Sequence, residues 1–192
     1  SLYLGGTEIT ATAAEINLLS GVTTIGTGVL SPVTEGGNTG VRLSTVDPDH
    51  YGDIGNYAVD LSYSGPVFTT GSTGDYSTAM GNGTTASGDN STAMGYYTTS
   101  SGYASTAMGN GTDATGSHST ATGRSTTASE YASTSMGFNT TASGTASTAM
   151  GNGTTASEPS STAMGLSTEA SGFASTAMGQ GTTSMGQGTT AM

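Results

Sequence analysis

The sequence contains no cysteine, which excludes disulfides, thiolate metal sites and thiol chemistry, so stability has to come from repetition and assembly. Basic side chains are almost missing. Arg42 and Arg124 stand alone against 13 acidic residues, for a net charge of −11, a balance that argues against charge-driven binding to nucleic acid or an anionic membrane. No run approaches the ~20 apolar residues of a membrane span, and no signal peptide opens the chain. Starting at Ser1 and stopping within a repeat at Met192, it reads as part of a longer protein whose anchoring segment lies elsewhere. Catalytic signatures are missing too: there is no Gly-x-Ser-x-Gly elbow, phosphate loop or dinucleotide fingerprint. The acidic residues are scattered rather than paired across a groove as glycan hydrolysis requires. The densest cluster, "DPDHYGD" with Asp47, Asp49, His50 and Asp53, lacks the glycine and bidentate glutamate of a calcium loop and reads as a solvated turn. No cofactor or metal is implied.

What the chain has instead is a seven-residue unit, visible twice in "STAMGNGTTASGDNSTAMG", residues 77–95. A heptad of this composition is no coiled coil. Each Gly costs a helix about 1 kcal/mol relative to Ala, and no Leu or Ile seam exists to drive association. Five extended residues and a two-residue corner fit the unit instead, and two units bring the chain back to its starting edge. The coil is therefore fourteen residues, with the Gly after the Met-type half at 81, 95, 109, 123, 137, 151, 165 and 179. Such unbroken repetition predicts a β-solenoid.

Strand alternation assigns the faces. Positions one, three and five of each unit, Ser or Thr, Ala or Ser, and Gly, are expected inside, which brings the two sheets closer than the ~10 Å of ordinary sandwiches. Positions two and four point out. One outer face then carries Met80, Met94, Met108, Thr122, Met136, Met150, Met164 and Met178; the other carries Ser87, Ser101, Thr115, Ser129, Ser143, Ser157 and Ser171, with Asp113 and Glu169 at position two. An uncharged methionine stripe of this length predicts an oligomer interface about a shared axis, formed by Met80, Met94, Met108, Met136, Met150, Met164 and Met178.

The same residues carry a resemblance. "STAMGNGTTASGDNSTAMG" resembles the YadA-like head repeats of trimeric autotransporter adhesins, over residues 77–192 of a β-roll domain set at 76–192. That resemblance implies a left-handed parallel β-roll in a homotrimer. The sequence departs from the pattern at Glu130 and Glu158, where a second-half Gly is expected, and at Met185 and Met192, where the last units compress.

Residues 1–30 differ in kind: a hairpin signal at Gly5-Gly6 precedes a short helix with a capping box at Thr12–Glu15, apolar Ile16, Leu18 and Leu19, and Gly21 as its C-terminal cap. "TATAAEINLLSGVTT" resembles connectors of bacteriophage tail fibres and related trimeric surface fibres. Residues 31–75 read as a small β-rich adaptor or neck, with Tyr57, Val59, Leu61 and Tyr63 alternating along a half-buried strand, Val41 and Leu43 beginning another, and "SGPVFTTGSTG" as linker.

The expected fold is thus all-β: a left-handed parallel β-roll in a homotrimer behind a helix-containing connector. The expected function is a non-enzymatic, extracellular fibre segment on a bacterial cell or a phage virion, acting as adhesive head or spacer. Aromatics of the repeats fall at corners, expected to lie outside the ladder of backbone pairs. Tyr103, Tyr131 and Phe173 share one edge, suited either to packing against the next subunit or a neighbouring corner or to a glycan or surface-protein receptor, whereas His118 reads as a plain surface residue. Two rival functions are an ice-binding solenoid, from the rank Thr85, Thr99, Thr127, Thr141, Thr155 and Thr183, which Asp113 and Glu169 break, and a structural domain of a tail fibre whose recognition or enzymatic tip lies elsewhere.

Overall fold

The computed structural model describes residues 2–4, 7–9, 30–43, 46–63 and 70–192. Strands β1 (Leu2–Leu4) and β2 (Thr7–Ile9) pair antiparallel with Leu4 opposite Thr7, leaving two residues between them as the Gly5-Gly6 signal requires. The expected helix, with its capping box at Thr12–Glu15, lies outside the described residues, as do residues 64–69 of the linker.

A second hairpin joins β3 (Leu30–Glu35) to β4 (Asn38–Leu43). Its turn residues Gly36 and Gly37 both have positive φ, 57° and 89°, the conformation that matches the twist of flanking strands. From β4 onward all pairing is parallel. β5 (Val59–Tyr63) and β6 (Gly71–Ser72) lead into β7 (Thr78–Asn82) and β8 (Thr85–Ala86), and this alternation of a five-residue and a two-residue strand continues to β22 (Thr183–Ser184), after which β23 (Thr190–Ala191) adds a last two-residue strand to the sheet of the five-residue ones. The longer strands form a twelve-stranded sheet that includes β3 to β5, and the shorter ones form a nine-stranded sheet. Every step within the repeats pairs a residue with its equivalent in the next coil, as Thr78 with Thr92 and Thr85 with Thr99. The chain is a parallel β-solenoid, and the residues read as an adaptor share its ladder.

The interior is one small side chain thick. Positions one and three are buried in both halves of the coil, as Ser77, Ala79, Thr84 and Ala86 illustrate. Hydroxyl groups meet across it wherever position three is Ser: Ser72 with Ser77 at 2.7 Å, Ser100 with Ser105 at 2.6 Å, Ser135 with Thr140 at 2.7 Å. Where position three is Ala, the buried hydroxyls of Thr84, Ser91, Thr98, Thr112, Ser119, Thr126, Thr154, Ser161 and Thr168 find no partner among the described residues. So thin a core supplies little apolar burial, and backbone pairing between coils makes up the rest of the order.

Two expectations about the backbone need correction. Glycine at position five of the first half does not point inside. Gly109 has φ 130°, and a Cβ there would overlap the carbonyl oxygen of Gly123 in the next coil; the column lies at the surface because its backbone has left the strand conformation that alternation assumes. The corners, moreover, belong to the ladder. Position seven adopts the left-handed conformation and donates its N–H to position six of the preceding coil: Tyr97 to Asn82 at 2.8 Å, His118 to Tyr103 at 2.7 Å, Asn139 to Arg124 at 2.9 Å.

The first coils close the core differently. In the register, Asp60 occupies the column of Ala79, with Arg42 beside it. Arg42, 2% exposed, donates Nε to Asp60 (3.2 Å), Nη1 to Glu35 (2.8 Å) and Nη2 to the Gly52 carbonyl (3.0 Å), and lies over the Tyr51 ring. The second Asp60 oxygen accepts from Ser62 N–H and Oγ. A buried charge requires such full pairing. The alternation read along residues 57–63 is therefore real, but the polar set is inside: Asp60 and Ser62 are buried, whereas Val59 and Leu61 are half-buried and Tyr63 is exposed.

Candidate interaction surfaces

Seven of the nine methionines meet in one file. Parallel register sets Met80, Met94 and Met108 in consecutive coils, then Thr122, then Met136, Met150, Met164 and Met178. Neighbouring members are about 4.8 Å apart at the strand spacing. The file stands on the outer face of the twelve-stranded sheet, where Met80, Met94 and Met108 are 37%, 38% and 39% exposed in the single chain. Met136, Met150 and Met178 are half-buried by their own neighbours.

Leu61 precedes Met80 in the file, while Val41, Val59 and Thr78 form the column beside it. That second column continues as Thr92, Thr106, Thr120, Thr134, Thr148, Thr162, Thr176 and Thr190. No charge stands in either column. At the head of the face, Pro32, Val41, Val59 and Tyr57 line a shallow apolar hollow. The apolar side of residues 57–63 was turned outward by the Arg42–Asp60 pair, and it extends the methionine face instead of filling a core.

The opposite face is unlike it. On the nine-stranded sheet Thr85, Thr99, Asp113, Thr127, Thr141, Thr155, Glu169 and Thr183 stand in register. Asp113 and Glu169 are exposed, as a face in water permits.

The corners carry the rings. On the edge after the short strands, Tyr103 and Tyr131 are brought together by His118, which sits between them with centroid distances of 5.5 and 5.3 Å and interplanar angles of 64° and 63°. Edge-to-face rings at these distances attract one another. His118 is exposed at the surface, as read from the sequence, and has two ring partners there: position seven of one coil lies between the position-six residues of the coils on either side. No ring contact joins Phe173 to this column among the described residues; it stands exposed three coils further on. The other edge holds the edge-to-face pair Tyr96 and Tyr97 and the Arg124 guanidinium 5.1 Å over the Phe138 ring.

Nothing in the described residues gathers three metal-ligating side chains. In the "DPDHYGD" turn, Asp47 accepts the Asp49 N–H at 3.1 Å and lies 4.0 Å from His50, while Tyr51 turns inward to donate its hydroxyl to the Ser62 carbonyl. Among the described residues, no helix is long and apolar enough to cross a membrane. Sequence reasoning found the methionine file and the aromatic edge but missed the Arg42–Asp60 pair and the linking role of His118. The latter was findable by placing His118 one coil after Tyr103 and one before Tyr131.

No curated protein matches the chain. The sequence model of the YadA head domain repeat does, over residues 72–98, 100–126, 114–140, 128–154 and 142–168.

Proposed function

Because the chain belongs to the YadA head domain repeat family, we propose that it is a segment of a trimeric, surface-exposed adhesin fibre, with no enzymatic activity, that presents its corners for attachment. One observation carries the assembly: an uncharged file of seven methionines, in register and partly open to solvent, on the outer face of the twelve-stranded sheet. Isolated chains rarely leave such a stripe uncovered. Three copies turning this face to a common axis bury it, each Met contributing roughly 1.5–3 kcal/mol as an upper estimate. Met80, Met94, Met108, Met136, Met150, Met164 and Met178 are the interface residues in this reading, and the subunit does not fold stably alone.

The experiment is to place charge in the file. Chains carrying Met94→Asp, Met108→Asp and Met136→Asp should sediment as unfolded or aggregated material, since each carboxylate would be desolvated without a partner. Trimers of undiminished thermal stability would refute the assignment.

Attachment is proposed for the aromatic edge, with a glycan or surface protein as receptor. Rings on a rigid edge can stack on sugar or protein faces, and replacement of Tyr103, Tyr131 and Phe173 by Ser leaves the backbone ladder of the corners untouched. Attachment to the native surface should weaken while trimers persist; unchanged attachment would leave those rings with packing alone.

A further inference from the structure

We propose that Asn139 is an acceptor for an N-linked sugar on the folded roll. Asn-x-Ser/Thr is the acceptor pattern for asparagine glycosylation, and five asparagines meet it: Asn82, Asn90, Asn110, Asn139 and Asn152. All five sit at corners. The repeat itself creates the pattern, because two residues after position six comes position one and two residues after position seven comes position two, both usually hydroxyl-bearing.

The fold then separates the five. Asn82, Asn110 and Asn152 are at position six, so their hydroxyl partners Thr84, Thr112 and Thr154 are at position one, fully buried. A transferase that must engage that hydroxyl together with the amide cannot reach it without opening the coil. Asn90 and Asn139 are at position seven, with φ 59° and 52°, and their partners Thr92 and Thr141 are at position two, half-exposed on outer faces. Thr92 shares its face with the methionine file, so closure of Asn90 rests on the assembly reading given above. Thr141 stands on the hydroxyl face, beyond the reach of that interface.

Asn139 alone therefore offers both groups in the assembled fibre. Its backbone N–H is committed to the Arg124 carbonyl and its side chain is exposed. The substrate class is a nucleotide-activated hexose. The Asn139 Nδ2 atom bonds to the anomeric carbon as that carbon's bond to phosphate breaks; the amide proton passes to the transferase base and the nucleoside diphosphate leaves.

Folded protein is incubated with UDP-glucose and a soluble sequon-reading asparagine glycosyltransferase, and the peptides are mapped by mass. One hexose is expected at Asn139 and none at Asn82, Asn110 or Asn152, whereas heat-unfolded chain should be modified at all five. Thr141→Ser should keep the modification; Thr141→Ala and Asn139→Asp should abolish it with the melting temperature unchanged. If folded protein stays bare at Asn139 while unfolded chain is modified there, the proposal is overturned, as it is if Thr141→Ala leaves the modification in place. Modification of Asn90 alongside Asn139 would instead count against the assembly reading.

Discussion

Each coil is written twice, and its two halves differ in ways that separate backbone from environment. The first half forms a five-residue strand, carries a glycine with positive φ at position five and usually presents Met; the second forms a two-residue strand and usually presents Ser or Thr. In the first half, glycine stands at position five in all eight coils from Gly81 to Gly179, whereas the second half admits Glu130 and Glu158. Where φ is near 130° and the next carbonyl is in the way, a side chain is refused. Where φ is ordinary, a side chain is admitted and lies exposed, as both glutamates do. Half of the repeat is thus constrained by conformation and half only by space.

The largest expected effect tests this contrast directly. Gly109→Ala adds a Cβ to a conformation that side-chain-bearing residues avoid and overlaps Gly123; it should cost about 4 kcal/mol or more, in the range that marks a named structural failure. Gly102→Ala, in the second half, also meets a neighbouring carbonyl, that of Gly116, but at ordinary φ, and should cost clearly less. Equal melting temperatures for the two variants would remove the distinction between the halves.

Next come the outer faces. Ser143→Lys and Met150→Lys both fall at position four of their half, Ser143 one residue past a two-residue strand and Met150 within a five-residue one. On the hydroxyl face Lys should cost within about 0.5 kcal/mol. At the proposed axis it should remove several kcal/mol per trimer, through lost burial and repulsion among ammonium groups. Melting at equal chain concentration, because assembly is concentration-dependent, reads the difference. Equal shifts would leave no special axial face.

Inside the roll the halves are alike, and smaller, matched effects are expected. Ala149→Ser should give the buried Thr154 hydroxyl the partner that Ser135 gives Thr140, and Ala156→Ser should do the same for Ser161. Each should stabilise by about 1 kcal/mol. A gain in one half only, measured by denaturant midpoint, would break the equivalence of the interior. The smallest effect belongs to the corners: Ala132, with φ 54°, is in the left-handed region that Gly occupies without strain, so Ala132→Gly should gain about 0.5 kcal/mol once the added freedom of the unfolded chain is subtracted.

These contrasts also mark what was legible in the sequence. Positions one to four could be read because strands alternate strictly and the phase never slips, so the Ala interior and the methionine file followed from spacing alone. Position five could not, since its backbone departs from the strand geometry on which alternation depends. Arg42 and Asp60 are eighteen residues apart in a stretch without the repeat, where nothing in the pattern couples them, and their pairing turned the apolar side of residues 57–63 outward. His118 is hidden for a different reason: strand alternation does not describe the corners, whose N–H groups stack coil on coil.

The lack of any slip in register has a consequence for heredity as much as for mechanics. Each coil offers the same row of donors and acceptors above and below, so losing or gaining one whole coil leaves both cut surfaces complementary and alters reach by about 4.8 Å. A gain of half a coil exchanges the two outer faces for everything that follows. Reach can therefore drift among descendants in single-coil steps without passing through an unfolded ancestor, whereas the half-step is closed to them. The coding repeat acts as a graduated scale on which length is free and phase is fixed.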